Sequence, residues 1–151
     1  MKGIVLASHG PYAQAALESV KLFVGDVANL EVLTLNTEDN PEDFKQKLEA
    51  AIRHQDHHEG VLLITDIPGG TPSNAGLMIA SHYPKLEILT GLNMMMLMEL
   101  ILTREATSSM KEWIENAIYN GQASIQDLTL KLRLSQNNEI LSELEDLMNG
   151  L

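Results

Sequence analysis

Residues 60–76 read GVLLITDIPGGTPSNAG. The first part, GVLLITD (60–66), is almost continuously apolar, as a strand covered on both faces of a parallel sheet must be; a strand with one wet face would alternate. The run breaks at Pro68, Gly69 and Gly70, and from near Pro72 the chain continues into SNAGLMIASHYP (73–84), a helical stretch that closes before Pro84. Buried strand, glycine turn and helix together make the repeating unit of an α/β fold.

The unit recurs in both directions. KGIVLAS (2–8), LEVLTL (30–35) and LEILTG (86–91) are further apolar runs, and ASIQDLTL (123–130) is a fainter fifth. After the first run, PYAQAALESVKLFVG carries Ala13, Ala16, Leu17, Val20 and Val24 at helical spacing and ends on Gly25. After the second, NPEDFKQKLEAAIRHQ has Asn40 before Pro41, acidic residues in its first turn, and Phe44, Leu48, Ala51 and Ile52 on one face. The stretch from MMLMELIL to MKEWIENAIYNG supplies the remaining helices. Strand, helix, strand in alternation requires right-handed crossovers, hence a parallel sheet with helices on both faces: a doubly wound α/β sandwich. The tail SQNNEILSELEDLMNGL (135–151) opens on polar turn residues and continues with Ile140, Leu141, Leu144, Leu147 and Met148 at helical spacing. Residues 1–130 are therefore expected to form the domain, and residues 131–151 an amphipathic helical tail that docks on it or on a partner.

The chain has 151 residues, enough for one domain with a substantial core. Ten Lys and Arg against 21 Asp and Glu give a formal charge of −11, which repels phosphate backbones and anionic lipid headgroups and attracts basic protein surfaces. Neither nucleic acid binding nor direct membrane insertion is expected. With no cysteine there is no disulfide and no thiolate metal site, and no run approaches the ~18 apolar residues of a membrane span. The composition reads as that of a cytoplasmic protein.

In an open α/β sheet, ligands bind beyond the carboxyl ends of the strands, where strand order reverses. With the order 2-1-3-4, the loops after strands 1 and 3 meet at that point and set His9 of ASHG (7–10) beside Asp66. A carboxylate that accepts the Nδ1 proton of an imidazole leaves Nε2 unprotonated and nucleophilic, and supports the positive ring that forms on attack. Gly69 and Gly70 allow close backbone approach, Thr71 and Ser73 add hydroxyls, and the helix start adds free N–H groups. With Gly10 beside the histidine, these residues are expected to receive a phosphoryl group. A histidine at a strand end is more often structural, and Gly-Pro clusters punctuate most loops. The pairing of the two motifs at the switch point carries the reading.

Other candidates point elsewhere. His54, His57 and His58 of RHQDHHEG, with Asp56, read as a solvated helix end, and no metal is expected; His82 reads as structural. GLNMMMLMEL reads mostly as core, with Asn93 and Met94 near the rim. A Ser-His-Asp triad through Ser8 or Ser73 lacks a G-x-S-x-G elbow, and without G-x-x-x-x-G-K-[ST] or G-x-G-x-x-G direct nucleotide binding has no support.

A first strand ending in ASHG, a third running into TDIPGGTPSNAG and a fourth running into LTGLNMMMLMEL resemble the enzyme IIA component of the mannose-type (mannose/fructose/sorbose) sugar phosphotransferase system, over roughly residues 1–130. The resemblance implies a phosphocarrier without a cofactor. His9 would take a phosphoryl group from the phosphocarrier protein HPr and give it to a histidine of an enzyme IIB partner, which phosphorylates sugar entering through a membrane permease. Asp66 would orient the ring and stabilise its cation, and Thr71 matches a hydroxyl position near the phosphoryl group. ASIQDLTL would be a fifth, antiparallel strand exchanged across a homodimer. Members often carry Pro in the segment after strand 4, where this chain has Met95. Some continue through an Ala/Pro-rich linker into a IIB domain, whereas this chain is expected to be a free-standing subunit with a separate IIB partner. Two other readings stay open: a IIA-like subunit feeding a dihydroxyacetone kinase, and a non-catalytic anion-binding regulatory module.

Overall fold

The computed structural model describes residues 1–150, in which β1 (Gly3–His9), α1 (Tyr12–Val24), β2 (Leu30–Leu35), α2 (Pro41–Gln55), β3 (Val61–Thr65), α3 (Thr71–Ala80), β4 (Leu86–Thr90), α4 (Met94–Thr103), α5 (Met110–Ala123) and α6 (Leu128–Asn149) follow in turn. The four strands pair in parallel in the order β2-β1-β3-β4. The parallel pairing is what the alternation of apolar strands and helices requires, and the order is the one expected to set the loops after β1 and β3 side by side.

The two central strands are buried along nearly their whole length, and strand pleating sorts their side chains to two cores. Ile4, Leu6, Leu62 and Ile64 pack with Leu17, Val20, Leu97, Leu100 and Trp113 of α1, α4 and α5. Val5, Ala7 and Leu63 pack with Phe44, Leu48 and Ile52 of α2 and Ile79 of α3. A continuous apolar run is thus split residue by residue between the layers, which is why it does not alternate in the sequence. The Trp113 indole N–H donates to the Leu100 carbonyl at 3.0 Å, so the one tryptophan is buried without an orphaned donor.

Local signals account for the helix ends. The Asn40 side chain accepts from the Glu42 and Asp43 N–H groups, and Pro41 opens α2, as read from NPED. Gly25 closes α1 at φ 75° and donates its N–H to the Lys21 carbonyl.

Within the single chain the sheet has four strands, and residues 123–130 lead from the end of α5 into α6. α5 runs to Ala123, and Asp127 caps α6 by accepting from the Leu130 N–H at 2.8 Å. A strand must place its N–H and C=O groups on a neighbouring strand, whereas a helix satisfies them on itself, and within one chain the capped helix is the arrangement adopted. α6 continues through residues 135–138, where the polar stretch had predicted a turn, and none of its residues is buried.

Candidate functional site

β1 runs two residues past its register with β3, whose last paired residues are Ala7 and Thr65, so His9 and Asp66 both emerge at the carboxyl edge of the sheet. The turn after His9 needs a positive φ, which Gly10 supplies at 58°, with its N–H donating to the Leu35 carbonyl at 2.8 Å. Ser8, fully buried, accepts from the Ala13 N–H at 2.8 Å and donates to the Gly10 carbonyl at 3.1 Å. Its hydroxyl therefore caps α1 and braces the histidine turn.

Asp66 holds His9 twice with one oxygen. Oδ2 accepts from the His9 backbone N–H at 2.9 Å and from Nδ1–H of the ring at 2.8 Å, while Oδ1 accepts from the Ile67 N–H at 2.9 Å. The carboxylate is nearly covered, with 12% of its side chain exposed, and the imidazole stands over it at 43%. Burial by itself pushes the Asp66 carboxyl up, yet the His9 amide, the His9 ring and the Ile67 amide outweigh it and hold the carboxyl below its ordinary 3.8. An ionised carboxylate only accepts, so Nδ1 carries a proton, and in the neutral ring Nε2 is then the nitrogen with the lone pair.

The α3 end closes on the ring from the other side. A methyl group at Gly70 would sit 2.6 Å from His9 Cε1 and 3.4 Å from Nε2, so the imidazole occupies the space that a side chain would take. Gly70 is the N-cap of α3, and Pro72 has no N–H, which leaves the Thr71 and Ser73 amides as the first-turn donors next to the ring. Their positive dipole end favours an anion. Asn74 steadies the turn through a side-chain N–H to the Gly69 carbonyl at 3.1 Å.

Ser73 is arranged differently from the expectation that its hydroxyl receives the phosphoryl group. That hydroxyl is buried, donates to the Ile67 carbonyl at 2.6 Å and accepts from the Thr65 hydroxyl at 2.7 Å. It fastens the Asp66 loop to the end of β3 and is not presented to an incoming group.

His9, Gly10 and Thr71 line a cleft of about 810 Å³ whose opposite wall is the β2–α2 loop, with Asn36, Thr37, Glu38 and Asp39. Reading only the loops after strands 1 and 3 missed this wall. The signal was present, since β2 neighbours β1 in the same strand order and its loop begins with the polar stretch NTED (36–39). Asp39 folds that loop by accepting from the Asn36 N–H at 2.6 Å. Asn93 caps α4 by accepting from Met96, and the Tyr12 hydroxyl donates to the Leu92 carbonyl at 2.7 Å, tying the first and fourth loops together.

The remaining histidines are elsewhere. His54 pairs with Glu31 at 3.1 Å and His82 with Glu49 at 3.2 Å. Among the described residues, no group of three or more His, Cys, Asp or Glu converges as a metal site.

Residues 3–118 match the family described as EIIA-man, PTS system fructose IIA component. The chain is 28% identical over 128 residues to the PTS system mannose-specific EIIAB component of Escherichia coli (strain K12); the match covers 85% of this chain and 40% of that protein, so the chain spans under half the length of that relative. It is 25% identical over 126 residues to the PTS system fructose-specific EIIA component of Bacillus subtilis (strain 168), covering 83% and 86% of the two chains. The crystal structure of the PTS IIA protein associated with the fucose utilization operon from Streptococcus pneumoniae superposes with a TM-score of 0.77 at 29% identity, over 87% of this chain and 96% of that one.

Proposed function

The chain belongs to the PTS system fructose IIA component family, and from that premise we propose that it is a phosphocarrier whose His9 Nε2 takes a phosphoryl group from HPr and passes it to an enzyme IIB partner on a separate protein. The observation that carries this reading is the double hold of Asp66 Oδ2 on the His9 amide and Nδ1, at 2.9 and 2.8 Å, which leaves Nε2 as the free nitrogen.

In the accepting step the Nε2 lone pair attacks phosphorus in line as the donor's P–N bond breaks, and the electron pair of that bond returns to the donor imidazole. The His9 ring becomes cationic while Nδ1–H stays on Asp66, whose charge stabilises it. The second step is the reverse displacement, with an acceptor histidine attacking and Nε2 leaving. Little covalent work falls to the protein, so positioning and charge carry the catalysis. Gly10, Gly69 and Gly70 keep side chains away from the transferring group, the Thr71 hydroxyl and the first-turn amides of α3 receive its oxygens, and Ser73 holds the loop that aims Asp66.

The names of the relatives favour a sugar-transport pathway, with a membrane permease as the final station. A cytoplasmic location goes with this reading. No helix among the described residues is long and apolar enough to cross a membrane.

Incubation with phosphoenolpyruvate, enzyme I and HPr is expected to leave acid-labile phosphate on the wild-type chain and none on His9→Ala. A wild-type chain that stays unlabelled removes the proposal. Chase of the label onto a IIB protein, and not onto a dihydroxyacetone kinase subunit, identifies the recipient.

A further inference from the structure

Three loops meet at the carboxyl edge around His9, and hydrogen bonds join them in a closed ring. The His9 N–H donates to Asp66 Oδ2 at 2.9 Å, the Gly91 N–H to the Asp66 carbonyl at 3.1 Å, and the Tyr12 hydroxyl to the Leu92 carbonyl at 2.7 Å. The ring passes from the β1–α1 turn to the loop after β3, on to the loop after β4, and back to the first residue of α1. Only Gly10 and Pro11 separate Tyr12 from His9. Gly10 holds φ 58°, and the Pro11 ring locks its own φ at −81°, so a displacement of Tyr12 reaches His9 with little slack.

The loop after β4 is the fixed part of the ring. The Leu92 N–H donates to the Thr65 carbonyl at 3.0 Å, the Asn93 side-chain N–H donates to the Gly91 carbonyl at 3.2 Å, and the Leu92 side chain is 3% exposed in the core shared by α1, α4 and α5. With the Gly91 N–H on Asp66 and the Leu92 carbonyl under Tyr12, every backbone polar group of residues 91 and 92 has a partner. Tyr12 is the opposite case: it is 48% exposed, so its hydroxyl holds it more than packing does. β1 and β4 do not pair, because β3 lies between them, and strand hydrogen bonds therefore do not set the first loop against the fourth. Ser8 braces the histidine turn from its own strand, and Tyr12 supplies the lateral hold.

We propose that Tyr12 is a positioning residue for phosphoryl transfer at His9. Its hydroxyl is taken up by Leu92, so it acts through His9 and not on the phosphoryl group. By closing the ring it keeps the imidazole over Asp66 with Nε2 aimed at phosphorus, and a small misalignment at that point is costly. Acceptance of the group and its return pass through the same in-line geometry, so both directions depend on Tyr12 equally. The inference rests on the phosphocarrier reading and adds a residue to it.

Phosphoryl exchange between HPr and the full-length chain, followed by rapid quench in both directions, tests the role. In Tyr12→Phe, which keeps the ring and loses the hydroxyl, the saturated rate is expected to fall about tenfold in each direction. The half-saturating HPr concentration and the equilibrium constant are expected to stay unchanged. In an Asp66→Asn background the same substitution is expected to cost less than about twofold, because both residues act through one imidazole. Equal losses in the two backgrounds mark a general structural effect and overturn the proposal. So does a Tyr12→Phe rate equal to that of wild type, or a loss carried by the half-saturating concentration, which makes Tyr12 a docking residue. A wild-type chain that accepts no phosphate removes the phosphocarrier reading itself, whereas wild type and Tyr12→Phe accepting it at one rate removes only this inference.

Discussion

At the scale of single residues, one carboxylate oxygen does two things to His9: it anchors the amide that ends β1 and it selects the protonated ring nitrogen. Gly70 is the third member of this arrangement, and its backbone is in an ordinary extended conformation, with φ −75°. Gly70→Ala therefore strains no torsion but forces the imidazole aside, since the new methyl would lie 2.6 Å from Cε1. Phosphoryl transfer is expected to slow by about 100-fold, the usual effect of a misplacement near 1 Å, with an unchanged urea midpoint. Asp66 also links the site to pH. Its folded carboxyl is held below 3.8, so its charged form contributes stability above that value and the contribution disappears as pH falls through the lower folded value. Denaturation curves taken from pH 6 down to about pH 2 should show wild type more stable than Asp66→Asn at the upper end and the two converging at the acid end. A constant gap across that range would remove the carboxylate's role. His9 and Asp66 were legible in the sequence because each ends an apolar strand. The inward turn of Ser73 was not, since a hydroxyl after a glycine pair reads the same whether it faces a ligand or the Ile67 carbonyl.

At the scale of elements, caps and apolar runs account for most of what the chain does. Ser8 shows a cap that no local pattern announces, because it reaches past Pro11 to the Ala13 N–H from the end of a strand. Ser8→Ala leaves that buried amide without a partner, and a loss of about 1 to 2 kcal/mol in urea denaturation is expected. A change within error would mean that water or a neighbouring carbonyl takes its place. The segment around residue 130 is the element where the sequence pattern and the single chain differ. Leu128, Leu130, Leu132 and Leu134 alternate with polar residues in a strand-like period, and the same residues nonetheless form the first turns of α6 under the Asp127 cap. A strand pattern specifies a strand only when a sheet edge is there to pair with it; a cap acts on its own chain.

At the scale of the whole molecule, the formal charge of −11 meets the site at the cleft wall, where Glu38 and Asp39 face His9. A phosphoryl group is an anion, so these carboxylates suit a basic face on the proposed donor protein better than the group itself. The second-order rate of phosphorylation by HPr is expected to fall roughly tenfold between about 0.05 and 0.5 M salt, with the saturated rate unchanged. A rate indifferent to salt would exclude electrostatic docking. The chain's own pattern determined the succession of strands and helices and the parallel sheet, because each rests on contiguous apolar runs, on caps or on a connection rule that holds for any such alternation; the first and third loops meet because the strand order is β2-β1-β3-β4. Only the tertiary structure decided that one Asp66 oxygen takes both His9 donors, that Ser73 turns inward, that the β2–α2 loop closes the cleft and that residues 128–149 are helical. Those outcomes depend on register and on which distant segments meet, and spacing along a chain does not encode distance across it.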